Sequence, residues 1–425
     1  MKEKALLLYS GGLDTSVMIK WLQEQMNLDV VTLTLDVGQE KNDLQQISDK
    51  AKKLGAIKTI TEDVRGKFSE EFVAQGILND GLYQDKYPLS TSLARPLMSL
   101  EAVKFAEQND CTTVVHGSTG KGNDQVRFEV SIKALNENLS VIAPVREMNM
   151  NRDEEIEYAK LRNIEIPYGG KYSVDENLWG RSVEGSSIEF IDEGVPEDAY
   201  RWVLPVEKSG EKPEVISITF KDGLPVKLNG KQLLLADLIS ELNYIAGQCG
   251  IGAIDMIEDR VVGIKSHEFY ECPAAITIIN GHKYLESLVL NKKESQLKKN
   301  MDQQFADMVY SGLWFDPAMD HIKAFQRSIN AIVNGTVKLK LYKGNVIPVG
   351  VESSNSLYDM FMSTYGKNQT FDQSKAPGFI YVFGSQTITT SKVRKRQLDK
   401  IIIEESIDGK NMEWWSFRRC GRRYL

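Results

Sequence analysis

The sequence predicts an α/β protein: a domain built on a parallel sheet, then a domain of α+β type, then a C-terminal arm. Three observations carry that prediction. Short apolar runs alternate with helical patterns over residues 5–166. A Gly-rich turn, Ser10-Gly11-Gly12, joins the first run to the first helix. Beyond Gly170 the alternation gives way to paired strand-like runs and longer amphipathic helices.

Residues 5–9, 30–37, 57–61, 113–115 and 140–145 are continuous or alternating apolar runs and read as strands. Residues 15–25, 44–54, 67–78, 96–108 and 124–136 place apolar side chains at i, i+3, i+4, the spacing of a helix with one buried face. Such alternation predicts a parallel sheet covered by helices on both faces. Ligands then gather beyond the carboxyl ends of the strands. Ser10-Gly11-Gly12 and His116-Gly117-Ser118-Thr119-Gly120 both fall at such ends and are expected to face one pocket. A helix over 152–163 closes the first domain, residues 1–166, and Pro167 with Tyr168-Gly169-Gly170 marks its boundary.

In the second domain, residues 167–375, the runs 215–220 and 224–228 suggest a hairpin around Lys221-Asp222-Gly223. Residues 232–246 form an amphipathic pattern with Leu233, Leu234, Leu238, Leu242 and Ile245 on one side. Residues 276–279, 336–342 and 345–351 read as strands, and 285–308 as one long helix. Residues 376–425 read as an arm. It carries the basic clusters Ser391-Lys392-Val393-Arg394-Lys395-Arg396 and Arg418-Arg419-Cys420-Gly421-Arg422-Arg423, with Trp414-Trp415 between them. Solvated charge is the default reading of such clusters. Adjacent tryptophans suggest docking on a partner subunit.

Composition narrows the class. A chain of 425 residues, 42% hydrophobic and 26% charged, has ample core for two or three domains. The net charge of −7 argues against broad nucleic-acid binding, which needs a basic face. The four cysteines (Cys111, Cys249, Cys272, Cys420) form no C-x-x-C pair, which argues against a disulfide framework or zinc site. No apolar run approaches bilayer length and no leader-like segment precedes the first strand, so a cytoplasmic protein without a membrane partner is expected.

The stretch Leu7-Leu8-Tyr9-Ser10-Gly11-Gly12-Leu13-Asp14-Thr15-Ser16 is the strongest chemical signal. Two glycines allow close backbone approach, hydroxyls add donors, and the new helix offers unpaired amides. Together they make an anion cradle. The P-loop pattern G-x-x-x-x-G-K-[ST] and the dinucleotide pattern G-x-G-x-x-G are both absent here. The S-G-G-x-D-[ST]-S pattern instead resembles the PP-loop ATP pyrophosphatases, of adenine nucleotide alpha hydrolase-like fold. That resemblance implies cleavage of ATP between its α- and β-phosphates. Asp14 would organise a metal or the loop, or alternatively cap the helix start.

Val115-His116-Gly117-Ser118-Thr119-Gly120-Lys121-Gly122-Asn123-Asp124 is the second signal. Asn123 and Asp124 suit a helix N-cap, and Arg127 one turn on suits bidentate binding of a carboxylate. With these segments, Thr91-Ser92-Leu93-Ala94-Arg95-Pro96, Ser173-Val174-Asp175-Glu176-Asn177-Leu178 and Glu258 … Lys265-Ser266 … Tyr270-Glu271 resemble, in content and order, the argininosuccinate synthase family. The resemblance implies ligation of citrulline to aspartate with ATP and Mg²⁺, giving AMP and pyrophosphate, in a homotetramer. It implies that Leu8, Tyr9, Ser10, Gly11, Gly12, Leu13, Asp14, Thr15, Ser16, Leu35 and Gly117 hold ATP. Thr119, Asn123 and Asp124 match aspartate positions. Tyr87, Ser92, Asn123, Arg127, Ser173, Ser182, Glu258 and Tyr270 match the citrulline pocket. Asp14, Asn123 and Arg127 are expected nearest the chemistry.

The chain departs from the family pattern at Leu8 (commonly Ala), at His267-Glu268 (commonly Arg-Gly) and at Cys272 (often Thr). Two other functions fit the first loop alone. One is an ammonia-using PP-loop ligase akin to asparagine or GMP synthetase, which usually carries a glutaminase cysteine. The other is a nucleotide-binding regulator.

Overall fold

The parallel sheet has the strand order β3-β2-β1-β4-β5, with β1 Lys4–Leu8, β2 Asp29–Asp36, β3 Lys58–Asp63, β4 Thr113–Val115 and β5 Ser140–Ile142. It is seen in a computed structural model that describes residues 2–39, 44–148, 152–165, 170–366 and 369–407. The predicted boundary at 167–169 and the segment 408–425, with Trp414, Trp415, Cys420 and the second basic cluster, lie outside the described residues. All neighbouring strands in this sheet are parallel. The apolar run of β1 follows from burial on both faces. Leu6 and Leu8 pack in one cluster with Leu93 and Leu97 of helix Ser90–Gln108, while Ala5 and Leu7 pack in another with Val17 and Met18 of helix Leu13–Gln25.

Strand order reverses between β1 and β4. A crevice opens at such a switch point, beyond the carboxyl ends of the strands. The Ser10-Gly11-Gly12 turn leaves β1 on one side of it, and His116-Gly117 leaves β4 on the other. The helix expected to start at Pro96 begins instead at Ser90. A proline suggests a helix start, but the Tyr87 hydroxyl accepts the Thr91 amide at 2.9 Å and supplies the first turn earlier.

Two antiparallel sheets follow. Before the second helical set come β6 Ser173–Asn177, β7 Gly180–Glu184, β8 Glu214–Lys221, β9 Leu224–Leu228 and β10 Lys231–Gln232. Then come β11 Ala253–Asp259, β12 Lys265–Glu271, β13 Gly335–Tyr342 and β14 Asn345–Glu352. One sheet has the order β10-β9-β8-β13-β14, the other β11-β12-β7-β6. The expected hairpin around Lys221-Asp222-Gly223 is β8–β9.

Two sequence expectations are corrected here. Residues 276–279 are not a strand but part of helix Pro273–Val289, where Thr277, Ile278 and Ile279 are buried. A short apolar run does not separate a buried strand from a buried helical face. The single helix expected over 285–308 is two, Pro273–Val289 and Lys292–Tyr310. Asn291 breaks it: its side chain accepts the Lys293 and Glu294 amides while Glu294 accepts the Asn291 amide, a reciprocal cap.

The β11-β12-β7-β6 sheet went unread because its strands are polar, as in Lys265-Ser266-His267-Glu268. It is tied to the first domain by the Leu178 amide on the Val37 carbonyl at 2.9 Å and by the Trp179 indole on the Pro88 carbonyl at 2.8 Å. Gly38 permits that approach: its φ is +93°, and a Cβ there would lie 2.9 Å from Leu178. Residues 1–357 form one compact unit and 358–425 another, whose described part includes helix Ala376–Ile407.

Candidate active site

The crevice at the switch point is a cleft of about 1060 Å³, walled by the loops after β1 and β4 and by the polar sheet. In the first loop Gly11 has φ +80°, a left-handed conformation that favours glycine. Lys50 donates to the Gly11 carbonyl at 2.9 Å and holds the turn from beneath. Gly12, at the cap position of helix Leu13–Gln25, has no side chain to accept from the first-turn amides, which suits them to an anion. Ser10 and Thr15 hydroxyls pair at 3.2 Å on the cleft wall. Asp14 lies one residue inside the helix and also lines the cleft, so it is not the cap residue.

The second loop opens helix Asp124–Leu135. Asn123 occupies the cap position but makes no side-chain cap bond. Its amide donates to the Tyr310 hydroxyl at 2.8 Å and its carbonyl oxygen accepts the Val261 amide at 2.8 Å. Asn123 is therefore a strut between the loop and the opposite wall. Asp124 bridges Arg95 and Arg127 at 2.7 and 3.0 Å. Burial works against its charge, but the two guanidiniums outweigh it and hold the carboxyl at about 2. Arg127 spends Nε on the Tyr310 carbonyl and Nη1 on Asp124. Its Nη2 is buried and finds no partner among the described residues. A ligand carboxylate would meet that nitrogen.

The polar sheet closes the far side. Glu258, 2% exposed, accepts from the Tyr270 hydroxyl at 2.7 Å and the Tyr310 hydroxyl at 2.6 Å. Tyr270 stacks on Tyr87 with ring centres 4.0 Å apart. Both phenols are pushed upward by burial, Tyr87 to about 12, so they stay neutral donors at physiological pH. Ser173 and Ser182 come from β6 and β7 and line the same cleft. Glu271, on the opposite face of β12, accepts the amides of Arg201, Trp202 and Val203 at 2.8, 2.9 and 2.9 Å, and so fixes the segment that brings Arg201 to the cleft.

Of the residues singled out from sequence, the cleft gathers Leu8, Tyr9, Ser10, Gly12, Leu13, Asp14, Thr15, Leu35, Tyr87, Gly117, Thr119, Asn123, Asp124, Arg127, Ser173, Ser182, Glu258 and Tyr270. Three others are not on its wall. Gly11 shapes the turn, Ser16 is buried and donates to the Gly12 carbonyl at 2.6 Å, and Ser92 is buried within helix Ser90–Gln108. Cys272 is fully buried with its thiol pushed up by burial, and it sits at the start of helix Pro273–Val289, off the cleft wall and without a side-chain cap bond. The residues missed were Arg95, Asp175, Glu184, Arg260 and Tyr310, whereas Glu268, also on the wall, had stood out as a departure from the family pattern. Arg95 and Asp175, bonded to each other at 2.5 Å, both stood inside the family-like segments and were the findable ones.

Among the described residues one group could in principle hold a metal, Asp80 with His282 and Glu286. The Lys298 ammonium already bonds Asp80 and Glu286 there at 3.2 and 3.0 Å. It is a buried charge cluster outside the cleft.

A parallel sheet with an anion turn at its switch point faces a carboxylate-and-tyrosine wall across one cleft, the layout of a nucleotide-binding α/β fold joined to a second, substrate-side sheet. Residues 4–165 match the family model of the argininosuccinate synthase N-terminal HUP domain, and residues 172–390 that of the C-terminal domain. The argininosuccinate synthase of Picrophilus torridus is 55% identical over 92% of this chain and 98% of its own. That of Thermoplasma volcanium is 51% identical over 95% and 100%, and that of Pyrococcus furiosus 47% over 91% and 93%. The chain belongs to the argininosuccinate synthase family.

Proposed function

We propose that the cleft ligates L-citrulline to L-aspartate with ATP, giving argininosuccinate, AMP and pyrophosphate, as a step of arginine biosynthesis. The observation that carries this reading is the pairing of an anion turn with a buried Arg127 Nη2 that has no partner among the described residues and a hydroxyl-braced Glu258, all in one cleft. An amino acid brings a carboxylate for the first and an ammonium for the second. Burying either charge unpaired would cost several kcal/mol, so the pair selects a zwitterion.

The ureido oxygen of citrulline attacks the α-phosphorus, and the bond to the β-phosphate oxygen breaks to release pyrophosphate. Amides after Gly12, with the Ser10 and Thr15 hydroxyls, stabilise the departing charge. The aspartate amine then attacks the ureido carbon, loses a proton and expels AMP. On this reading Thr119 and Asp124 receive aspartate, Leu35 the adenine, and Tyr87, Ser173, Ser182 and Tyr270 the citrulline; all of them line the cleft. Positioning supplies most of the rate in such a site.

A magnesium ion suits this donor set: a single cleft carboxylate at the phosphate turn, Asp14, fits a cation that keeps mostly water and phosphate oxygens. It would neutralise phosphate charge when bound. Helix Ala376–Ile407 exposes Phe379, Ile380, Tyr381, Val382 and Phe383, which favours burial against other copies in a homotetramer of a cytoplasmic enzyme. Loss of the native mass on truncation before residue 376 is the expected result; an unchanged mass refutes the arm's role.

Mass spectrometry of a reaction with citrulline, aspartate and ATP tests the function. Argininosuccinate with equimolar AMP is expected. AMP without argininosuccinate would point to another acceptor.

A further inference from the structure

The β11–β12 hairpin brings more negative charge to the cleft than its guanidinium balances. Its register pairs Glu258 with Ser266 and Met256 with Glu268, so Glu258, Glu268 and Tyr270 share one face. Glu268 is 4% exposed and lines the cleft. His267, its neighbour in the departure from the family pattern, faces away and bridges the Ile188 carbonyl and the Asp255 carboxylate. Of the two, only Glu268 bears on the site.

Arg260, just past β11, donates through Nη2 to both Glu268 and Glu184 of β7. Its Nη1 donates to the Lys121 carbonyl in the loop after β4 at 3.1 Å. The next amide, of Val261, meets Asn123 of that loop at 2.8 Å. The loop bearing Thr119 and Asn123 is thus tied to the hairpin at two points, and one depends on a guanidinium aimed by two carboxylates. Removing one carboxylate charge loosens that aim.

We propose that Glu268 is a positioning residue of the ligase: by holding Arg260 on the Lys121 carbonyl, it keeps the loop of residues 117–123 in its aspartate-binding conformation. The proposal rests on the ligase reading above. Burial, with Glu184 and Glu258 nearby, lifts the Glu268 carboxyl to about 7 against the pull of Arg260. The tether therefore tightens as pH rises through neutrality. The charged groups facing Glu268 are Arg260, Glu184 on β7 and Glu258 on β11, with Lys171 and Arg201 on the same cleft wall.

Steady-state kinetics of the full chain, with aspartate varied from pH 6 to 8.5, test this for the native protein, Glu268→Gln and Glu268→Asp. The native KM for aspartate is expected to fall about fivefold or more across the range. Glu268→Gln should hold the high KM at every pH with kcat little changed, and Glu268→Asp should restore the slope. A Gln variant that keeps the native slope, or one that shifts all three KM values and kcat alike, overturns the proposal. Argininosuccinate formation by the native protein in the same assay separates this outcome from failure of the ligase reading. Amide exchange of residues 117–123 in the native protein gives a second readout without any variant. Once each rate is divided by the intrinsic base-catalysed rate at the same pH, protection should be weaker at pH 6 than at pH 8, and equal protection overturns the proposal.

Discussion

Arg127 shows how a residue's chemistry is set by the bonds it has already made. Nε and Nη1 are spent on the Tyr310 carbonyl and Asp124, and its guanidinium lies over the Tyr310 ring at 4.8 Å. These bonds fix the guanidinium plane, and Nη2 finds no partner among the described residues. Arg127→Lys keeps the charge but loses the fork. We expect kcat/KM for citrulline to drop about 100-fold, or about 3 kcal/mol, with the KM for ATP nearly unchanged; an equal loss for ATP would deny the assignment. Arg127 was legible because it stands one turn into a helix that follows a Gly-rich loop. Asn123 was legible as important but not as a strut, since its partners Tyr310 and Val261 are far away in sequence. Arg260 left no local signal, and Glu268 stood out only as half of the His267-Glu268 departure from the family pattern.

At the scale of elements, the turn after β1 and the capped helices behave differently under substitution. Gly11→Ala places a Cβ at φ +80° and 3.0 Å from Ile47. It should lower stability by about 1 kcal/mol or more and weaken ATP binding, read by calorimetric titration. Unchanged ATP affinity would mean the turn does not seat the phosphates. Asn291→Ala removes a reciprocal cap remote from the cleft, so it should cost about 1 kcal/mol in denaturant melts while leaving kcat/KM intact. The parallel sheet and its helices were legible because apolar periodicity dominates there. The polar sheet was not, because its cleft-facing positions carry Glu258, Glu268, Ser182 and Ser173 where a packed sheet would carry apolar side chains. Function erased the pattern that announces a strand.

The whole molecule carries a buried charge cluster in which Lys298 bonds Asp80, Glu286 and Asp302 at 3.2, 3.0 and 2.9 Å. Burial and like charge raise Glu286 to about 8 and Asp302 to about 7. These groups hold protons in the fold that the unfolded chain would release, so their contribution to stability falls as pH rises from the ordinary carboxylate range through about 8. Thermal melts should therefore show Tm decreasing from pH 6 to pH 9, and Glu286→Gln should flatten that decrease. A native Tm that rises over the range contradicts this. Lys298→Met strands the carboxylates and should destabilise by about 3–5 kcal/mol. None of this was legible in the sequence, where the cluster's members run from Asp80 to Asn330 without a motif.

At that same scale the cleft joins two domains into one reaction, and its order of bond making can be followed by isotope. Citrulline labelled with ¹⁸O in the ureido group, turned over with ATP and aspartate, should deliver the label to the phosphate of AMP. Unlabelled AMP formed alongside argininosuccinate would contradict attack by the ureido oxygen on the α-phosphorus.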